Sequence, residues 1–173
     1  MTRTATLRWD PALGGGSLWD VGCYPVSFAR LVSGVEPVEV HGTHVLGPTG
    51  IDLSFAGVLR FPGGVLAVVD SSFVAPFHTS VDIVGSVATL RVAIPYKPGR
   101  EASVVIVGDD GSSREVPAEG QEPYSGEVED LATTVLDGAP PRMSLADSRG
   151  NVATLVALYE AASTGRSVPI RVS

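Results

Sequence analysis

Asp20 and Tyr24 are the residues of this chain whose types and spacing point most directly to chemistry. Four positions apart on a helix, a carboxylate and a phenol share one face and can meet a single small polar ligand. The carboxylate would accept a hydrogen bond from a ligand hydroxyl and orient it, while the phenol would donate a hydrogen bond or a proton to a carbonyl or alkoxide. Both follow Asp10-Pro-Ala-Leu-Gly-Gly-Gly-Ser17, whose triple glycine is a flexible turn. Each residue also has a plain structural use. A carboxylate near a helix start satisfies free amides and complements the dipole, and a tyrosine is often a partly buried aromatic with a bonded hydroxyl.

The remaining candidates carry less. His78, after Pro76-Phe77 and before an expected strand, is a third candidate for the cleft of Tyr24, against the ordinary alternative of a solvated loop histidine. His41 and His44 lie three apart on an expected strand and so point to opposite faces, with no cluster of Cys or carboxylates to complete a coordination shell. No metal is expected. Cys23 adjoins Tyr24 but lacks a visible activating histidine and reads as a small buried hydrophobe. Lys97, the single lysine, stands in the turn-like Pro95-Tyr-Lys-Pro-Gly99, which argues against a lysine-based mechanism. The chain has neither Gly-x-Gly-x-x-Gly after a strand nor Gly-x-x-x-x-Gly-Lys-Ser/Thr, so by itself it is expected to hold no dinucleotide or nucleoside triphosphate. A Gly-x-Ser-x-Gly nucleophile elbow is also missing.

The elements that position Asp20 and Tyr24 follow from periodicity. A strand over 3–9 ends at Asp10-Pro11, and Leu18, Val21, Pro25, Phe28, Ala29 and Val32 predict an amphipathic helix from Ser17 to about Ser33, closed by Gly34. Pro25 would remove the bond to the Val21 carbonyl and clash with it, so the first turn should be kinked or the regular helix should begin late. Strands are expected at about 38–45, 51–60, 65–74, 79–84, 87–92, 103–107 and 113–117. Phe61-Pro-Gly-Gly64 and Gly108-Asp-Asp-Gly111 between them suggest antiparallel hairpins. Val65-Leu-Ala-Val-Val69 is apolar on both faces, so a second layer should cover that sheet. Helices are expected from Tyr124 to Leu136 and from about Ser144 to Ser163, before a strand-like Val168-Pro-Ile-Arg-Val172. The sum is an α+β fold with an open, mostly antiparallel sheet.

Bulk composition narrows the partners. At 173 residues the chain fits one domain with its own core. Hydrophobic residues make up 44% and charged residues only 18%, with a mean hydropathy of +0.24. No apolar run approaches the roughly 20 residues of a membrane helix, so the excess apolar surface should meet protein. A net charge of −7 without a cluster of Lys or Arg argues against nucleic acid and anionic membranes, and leaves sugars and small neutral or cationic molecules open. One cysteine cannot form an intrachain disulfide, and residues 1 onward lack a signal-peptide pattern, which reads as cytoplasmic.

Four segments together carry a family likeness: Gly14-Gly-Gly-Ser-Leu-Trp-Asp-Val-Gly-Cys-Tyr-Pro-Val26, Thr49-Gly-Ile-Asp52, Leu59-Arg-Phe-Pro-Gly-Gly64 and Tyr159-Glu-Ala-Ala-Ser-Thr-Gly-Arg-Ser-Val168. In order and spacing they resemble the C-terminal domain of the Gfo/Idh/MocA oxidoreductases, especially the dihydrodiol and aldose dehydrogenase branch, over about residues 3–172. The resemblance implies an open mixed sheet with helices on one face and the other face available for dimerisation. It also implies a first helix lining a sugar or polyol pocket. Asp20 and Tyr24 fall on the positions that contact substrate in such enzymes, with Tyr24 helping to handle the substrate proton. The sequence departs from the family pattern in having no N-terminal Rossmann domain, no nicotinamide site and no Glu-Lys-Pro motif, and Lys97 cannot inherit the lysine's role. Residues 1–173 are therefore expected to be a single substrate-binding and oligomerisation domain, not a dehydrogenase alone, with NAD(P) and the catalytic lysine coming only from a Rossmann-domain partner. The alternative is a stand-alone, cofactor-free isomerase, lyase or cyclase, or a small-molecule binding module, reusing the same pocket.

Overall fold

The computed structural model describes residues 7–99, 101–120, 122 and 124–171. Its helices are α1 (Cys23–Ser33), α2 (Ser125–Asp137) and α3 (Leu145–Thr164). Its strands are β1 (Glu39–Leu46), β2 (Asp52–Arg60), β3 (Leu66–Ser72), β4 (Val81–Val84), β5 (Ala88–Val92), β6 (Glu101–Gly108), β7 (Ser113–Glu119) and β8 (Val168–Pro169). They divide between two compact units, residues 1–75 with 143–173 and residues 76–142.

The first unit is a four-stranded antiparallel sheet in the order β3-β2-β1-β8. Alternation along its strands turns Val40, Phe55, Leu59 and Val69 to one face, where they join Leu18 and Val26 of the α1 run and Leu155, Leu158 and Ala161 of α3 in the core. Two glycines let α3 approach this face. A Cβ on Gly57 would press on the Leu158 side chain at 2.9 Å, and one on Gly42 would enter the Phe55 ring at 2.6 Å. The expected doubly apolar run resolves by the same alternation: Val69 is buried, while Leu66 and Val68 are exposed on the opposite face, Val68 by 80%. Helices supply the expected covering layer on the inner face, while among the described residues Leu66 and Val68 of the other face stay exposed.

Local chemistry sets the ends of the elements. The strand expected at 3–9 is corrected where it can be seen: Leu7–Trp9 is a 3-10 turn, and residues 3–6 lie outside the described residues. The Arg8 carbonyl accepts from Gly16 N at 3.1 Å and the Asp10 carbonyl from Gly15 N at 2.9 Å, so this backbone folds onto the glycine loop instead of a ladder. Asp10 caps the following turn through Ala12 N at 2.9 Å, with Pro11 opening it and Gly14 closing it at φ 73°. The late helix start predicted from Pro25 is present. Leu18–Gly22 forms one π-helical turn, and regular α-helix begins at Cys23. Gly34 ends α1 in the left-handed region with its amide on the Arg30 carbonyl. Ser144 caps α3 by accepting from Asp147 N at 3.0 Å.

The second unit is an antiparallel meander, β4-β5-β6-β7, followed by α2. Its β6–β7 hairpin turns at Gly108–Gly111 as the sequence predicts, with Gly111 at φ 79°. The apolar spacing of α2 forms the expected helix, yet Val128, Leu131, Val135 and Leu136 are all exposed. The class is the expected α+β with open antiparallel pairing, the strands being shared between two four-stranded sheets. Among the described residues no helix is long and apolar enough to cross a membrane.

Candidate functional site

The helical run that carries Asp20 and Tyr24 is seated on a buried carboxylate. The β1–β2 turn closes through Gly47 and Gly50, the latter at φ 88°, and delivers Asp52 as the first residue of β2, only 1% exposed. One carboxylate oxygen, Oδ2, accepts from Ser17 Oγ at 2.7 Å and from Leu18 N at 2.8 Å, and Oδ1 accepts from Tyr159 Oη at 2.6 Å. Ser17 Oγ also meets Ser71 Oγ on β3 at 3.0 Å. Three neutral donors therefore satisfy a desolvated anion, as burial of a charge requires. Burial first, and then the bond to Asp52, raise the Tyr159 phenol far above its ordinary pKa near 10 and keep it a donor. Gly16 has to be glycine here: its φ is 131°, and a Cβ would collide with Asp52 Oδ1 and Tyr159 Oη. Gly15 is equally confined, with the Arg8 and Asp10 carbonyls 2.6 and 2.8 Å from where a Cβ would stand.

Asp20 lies in the π-helical turn and Tyr24 in the first turn of α1. π-Turns arise where a helix carries an extra residue, and they recur at functional positions. Pro25 supplies no N–H to this stretch, and the Cys23 thiol lies 3.7 Å from the Asp20 carbonyl as a weak donor. Asp20 Oδ2 is 3.2 Å from Arg8 Nε, an ion pair by distance but without the alignment of a hydrogen bond. That oxygen is shielded from solvent and has no hydrogen-bond partner among the described residues. Tyr24 is 46% exposed.

His78 is exposed and belongs to the second unit. His41 and His44 point to opposite faces of β1 as expected, His41 exposed and His44 turned inward with Nδ1 buried and unpartnered among the described residues. Among the described residues no group of three or more His, Cys, Asp or Glu is placed to hold a metal ion. Burial, then the charge of Asp20, raises the Cys23 thiol above its ordinary pKa, which disfavours the thiolate. The first unit also holds an open cleft of about 280 Å³, lined by Trp19, His44, Leu46, Ile51, Tyr159 and Ser163 among others. Trp19 and Tyr159 meet there with ring centroids 5.9 Å apart, and neither Asp20 nor Tyr24 contributes to the lining.

A model described as the GFO/IDH/MocA C-terminal domain matches residues 2–114. A D-xylose 1-dehydrogenase (NADP(+)) of Haloferax volcanii is 33% identical over 166 residues, covering 95% of this chain and 51% of that protein. A trans-1,2-dihydrobenzene-1,2-diol dehydrogenase of Xenopus tropicalis is 30% identical over 148 residues, covering 80% and 44%. Among solved structures, an aldose-aldose oxidoreductase from Caulobacter crescentus complexed with glycerol superposes with a TM-score of 0.86 at 24% identity, covering 98% of this chain and 52% of that one. The chain spans about half the length of the curated relatives it matches. The chain belongs to the GFO/IDH/MocA family as its C-terminal domain.

Proposed function

We propose that this chain is the substrate-binding and oligomerisation half of an NAD(P)-dependent sugar or polyol oxidoreductase, with Asp20 and Tyr24 as its ligand-contacting pair. One observation supports the reading: among the described residues Asp20 Oδ2 is shielded from bulk water and has an ion pair with Arg8 Nε at 3.2 Å but no hydrogen-bond donor, on the helical turn before the exposed Tyr24. The Arg8 cation offsets part of the cost of shielding that oxygen, and a ligand hydroxyl would supply the directed donor it lacks. Asp20 would accept from one hydroxyl and orient it, while Tyr24 would donate to a neighbouring oxygen and hold the proton that moves there. The names of relatives, D-xylose dehydrogenase and dihydrodiol dehydrogenase, favour a small polyhydroxylated ligand.

Nicotinamide would be held by a Rossmann domain and not by these residues. The triple glycine is the nearest thing here to a phosphate cradle, and its two confined glycines face the Arg8 and Asp10 carbonyls and the Asp52 carboxylate. Carbonyl oxygens and an anion repel a pyrophosphate, so the fit is poor. The nicotinamide supplies hydride chemistry wherever it is bound; this chain's part is to bind and orient the substrate. The exposed apolar face of the first sheet, with Val58, Leu66 and Val68, would pair with a second copy.

Calorimetric titration of the purified chain tests the reading. D-xylose should bind, Asp20→Asn and Tyr24→Phe should each weaken it roughly tenfold, and NADPH should give no heat. Unchanged affinity in both variants sinks the assignment of the pair, and micromolar NADPH binding sinks the division of labour. A monomer by light scattering at micromolar concentration would remove the homodimer.

A further inference from the structure

We propose that Asp52 is a positioning residue: through Ser17, Leu18 N and Tyr159 it fixes the π-helical turn that aims Asp20 and Tyr24. The inference rests on the reading that those two side chains receive the ligand.

Three observations converge on it. Asp52 touches both residues that open the turn, Ser17 Oγ at 2.7 Å and Leu18 N at 2.8 Å. A helix start leaves its first amides without intrahelical partners, and a carboxylate placed there both satisfies them and complements the dipole. Here the carboxylate comes from another element, 34 residues along the chain from Leu18, so the helix start is held against the sheet. Tyr159 reaches the other carboxylate oxygen from α3 at 2.6 Å and limits its rotation.

The room left around this cluster is small, which converts hydrogen bonding into direction. Gly16 admits no Cβ against Asp52 and Tyr159, and a Cβ on Gly22 would stand 2.8 Å from Leu18 Cδ1 and 3.1 Å from Ser71 Oγ. Glycines therefore bracket Asp20 on both sides, at positions 16 and 22, each pressed against the cluster. Lacking side chains, Gly16 and Gly22 bring the backbone of the turn close to Asp52 and Ser71, which restricts its rotation. Asp20 N bonds the Gly16 carbonyl at 3.1 Å, so the position of Gly16 passes directly to Asp20. None of the clamp residues needs to touch the ligand for this to matter, because a hydrogen bond to a ligand hydroxyl depends on the direction of its acceptor.

The test compares Asp52→Asn with Val40→Ala, a core truncation outside the clamp, in the full chain at a temperature where both are folded. Asparagine keeps the shape but offers a single acceptor oxygen. Amide hydrogen exchange over residues 18–24 should accelerate roughly tenfold in Asp52→Asn. The Tyr24 ring resonances should shift, and D-xylose affinity should fall by a similar factor. Val40→Ala should loosen the whole first unit without a selective change at 18–24. Should Asp52→Asn not fold, Tyr159→Phe and Ser17→Ala, which remove one donor each, are read the same way. Exchange and Tyr24 resonances that stay as in the parent, or that move equally in Val40→Ala, overturn the proposal. A parent chain that ignores D-xylose overturns the ligand reading, and the exchange data still decide whether Asp52 holds the turn.

Discussion

The two ends of the α1 run each contain a buried polar cluster, and they solve the same problem in opposite ways. At the start, the Asp52 carboxylate is surrounded by neutral donors and every bond is short and directed. At the far end, Arg30 is 5% exposed and forms a two-pronged pair with Glu36, Nε to Oε2 at 2.7 Å and Nη2 to Oε1 at 2.5 Å, while Nη2 also reaches Asp147 at the head of α3. That cluster leaves Arg30 Nη1 and Asp147 Oδ2 without hydrogen-bond partners among the described residues. Gly150 makes room for it, since a Cβ there would strike the guanidinium and Glu36. A charge held by a shell of dipoles is fully satisfied; a charge held by other charges gains attraction but retains desolvation costs. The comparison teaches that the end nearest the candidate site is the more completely bonded of the two, as positioning demands.

The contrast can be broken at several strengths. Asp52→Ala should have the largest effect, about 3–5 kcal/mol by urea unfolding, because it strands the Leu18 amide at a position closed to water, removes the acceptor of Tyr159 and opens a small cavity. Arg30→Met should cost less, about 1–2 kcal/mol, because Glu36 and Asp147 are more than a third exposed and can be solvated once the guanidinium is gone. Equal losses in these two variants would erase the distinction. Tyr159→Phe should cost about 1 kcal/mol at neutral pH, since Asp52 keeps its other two donors.

Alkaline pH sharpens the difference further. Tyr159 has a folded-state pKa raised above its unfolded value near 10, so above pH 10 the unfolded chain loses a proton that the folded chain retains. Stability should then decline as pH rises, by less than about 1.4 kcal/mol per unit given the residue's partial exposure. Phenylalanine at 159 should flatten that decline in unfolding curves between pH 9 and 11. The Arg30 guanidinium is also raised, chiefly by its bond to Glu36, above an ordinary value that already lies beyond that of tyrosine. Its contribution is complete below that value and is lost only above it, so Arg30→Met should leave the same alkaline limb unchanged. The smallest effect belongs to Cys23. Its raised thiol pKa predicts iodoacetamide labelling at pH 8 slower than that of a free thiol in the unfolded chain.

Much of this architecture was legible in the residues. Every strand from β1 to β7 begins within three residues of its expected position, because alternation and Gly- or Pro-containing turns are local signals. Pro25 announced the irregular start of α1, since a missing N–H acts wherever the tertiary fold places it. The buried faces were harder. α3 buries Thr154, Leu155, Leu158 and Ala161, whereas its Val152 and Val156 remain half exposed. Val26 and Arg30 are buried on α1, whereas Val32 of its expected stripe is exposed. A helical period gives the pitch of a stripe but not its phase against a sheet.

The sequence alone determined the family, the order of the elements and the four-residue spacing of Asp20 and Tyr24, all properties read from neighbours along the chain. Tertiary structure alone decided that Asp52, a turn-ending acid, and Tyr159, a tyrosine in an apolar helix, meet under Ser17 and hold the turn between them. Their contacts span 35 and 107 positions. No local pattern encodes a bond between residues so far apart, because it exists only after β2, α1 and α3 have packed on one core.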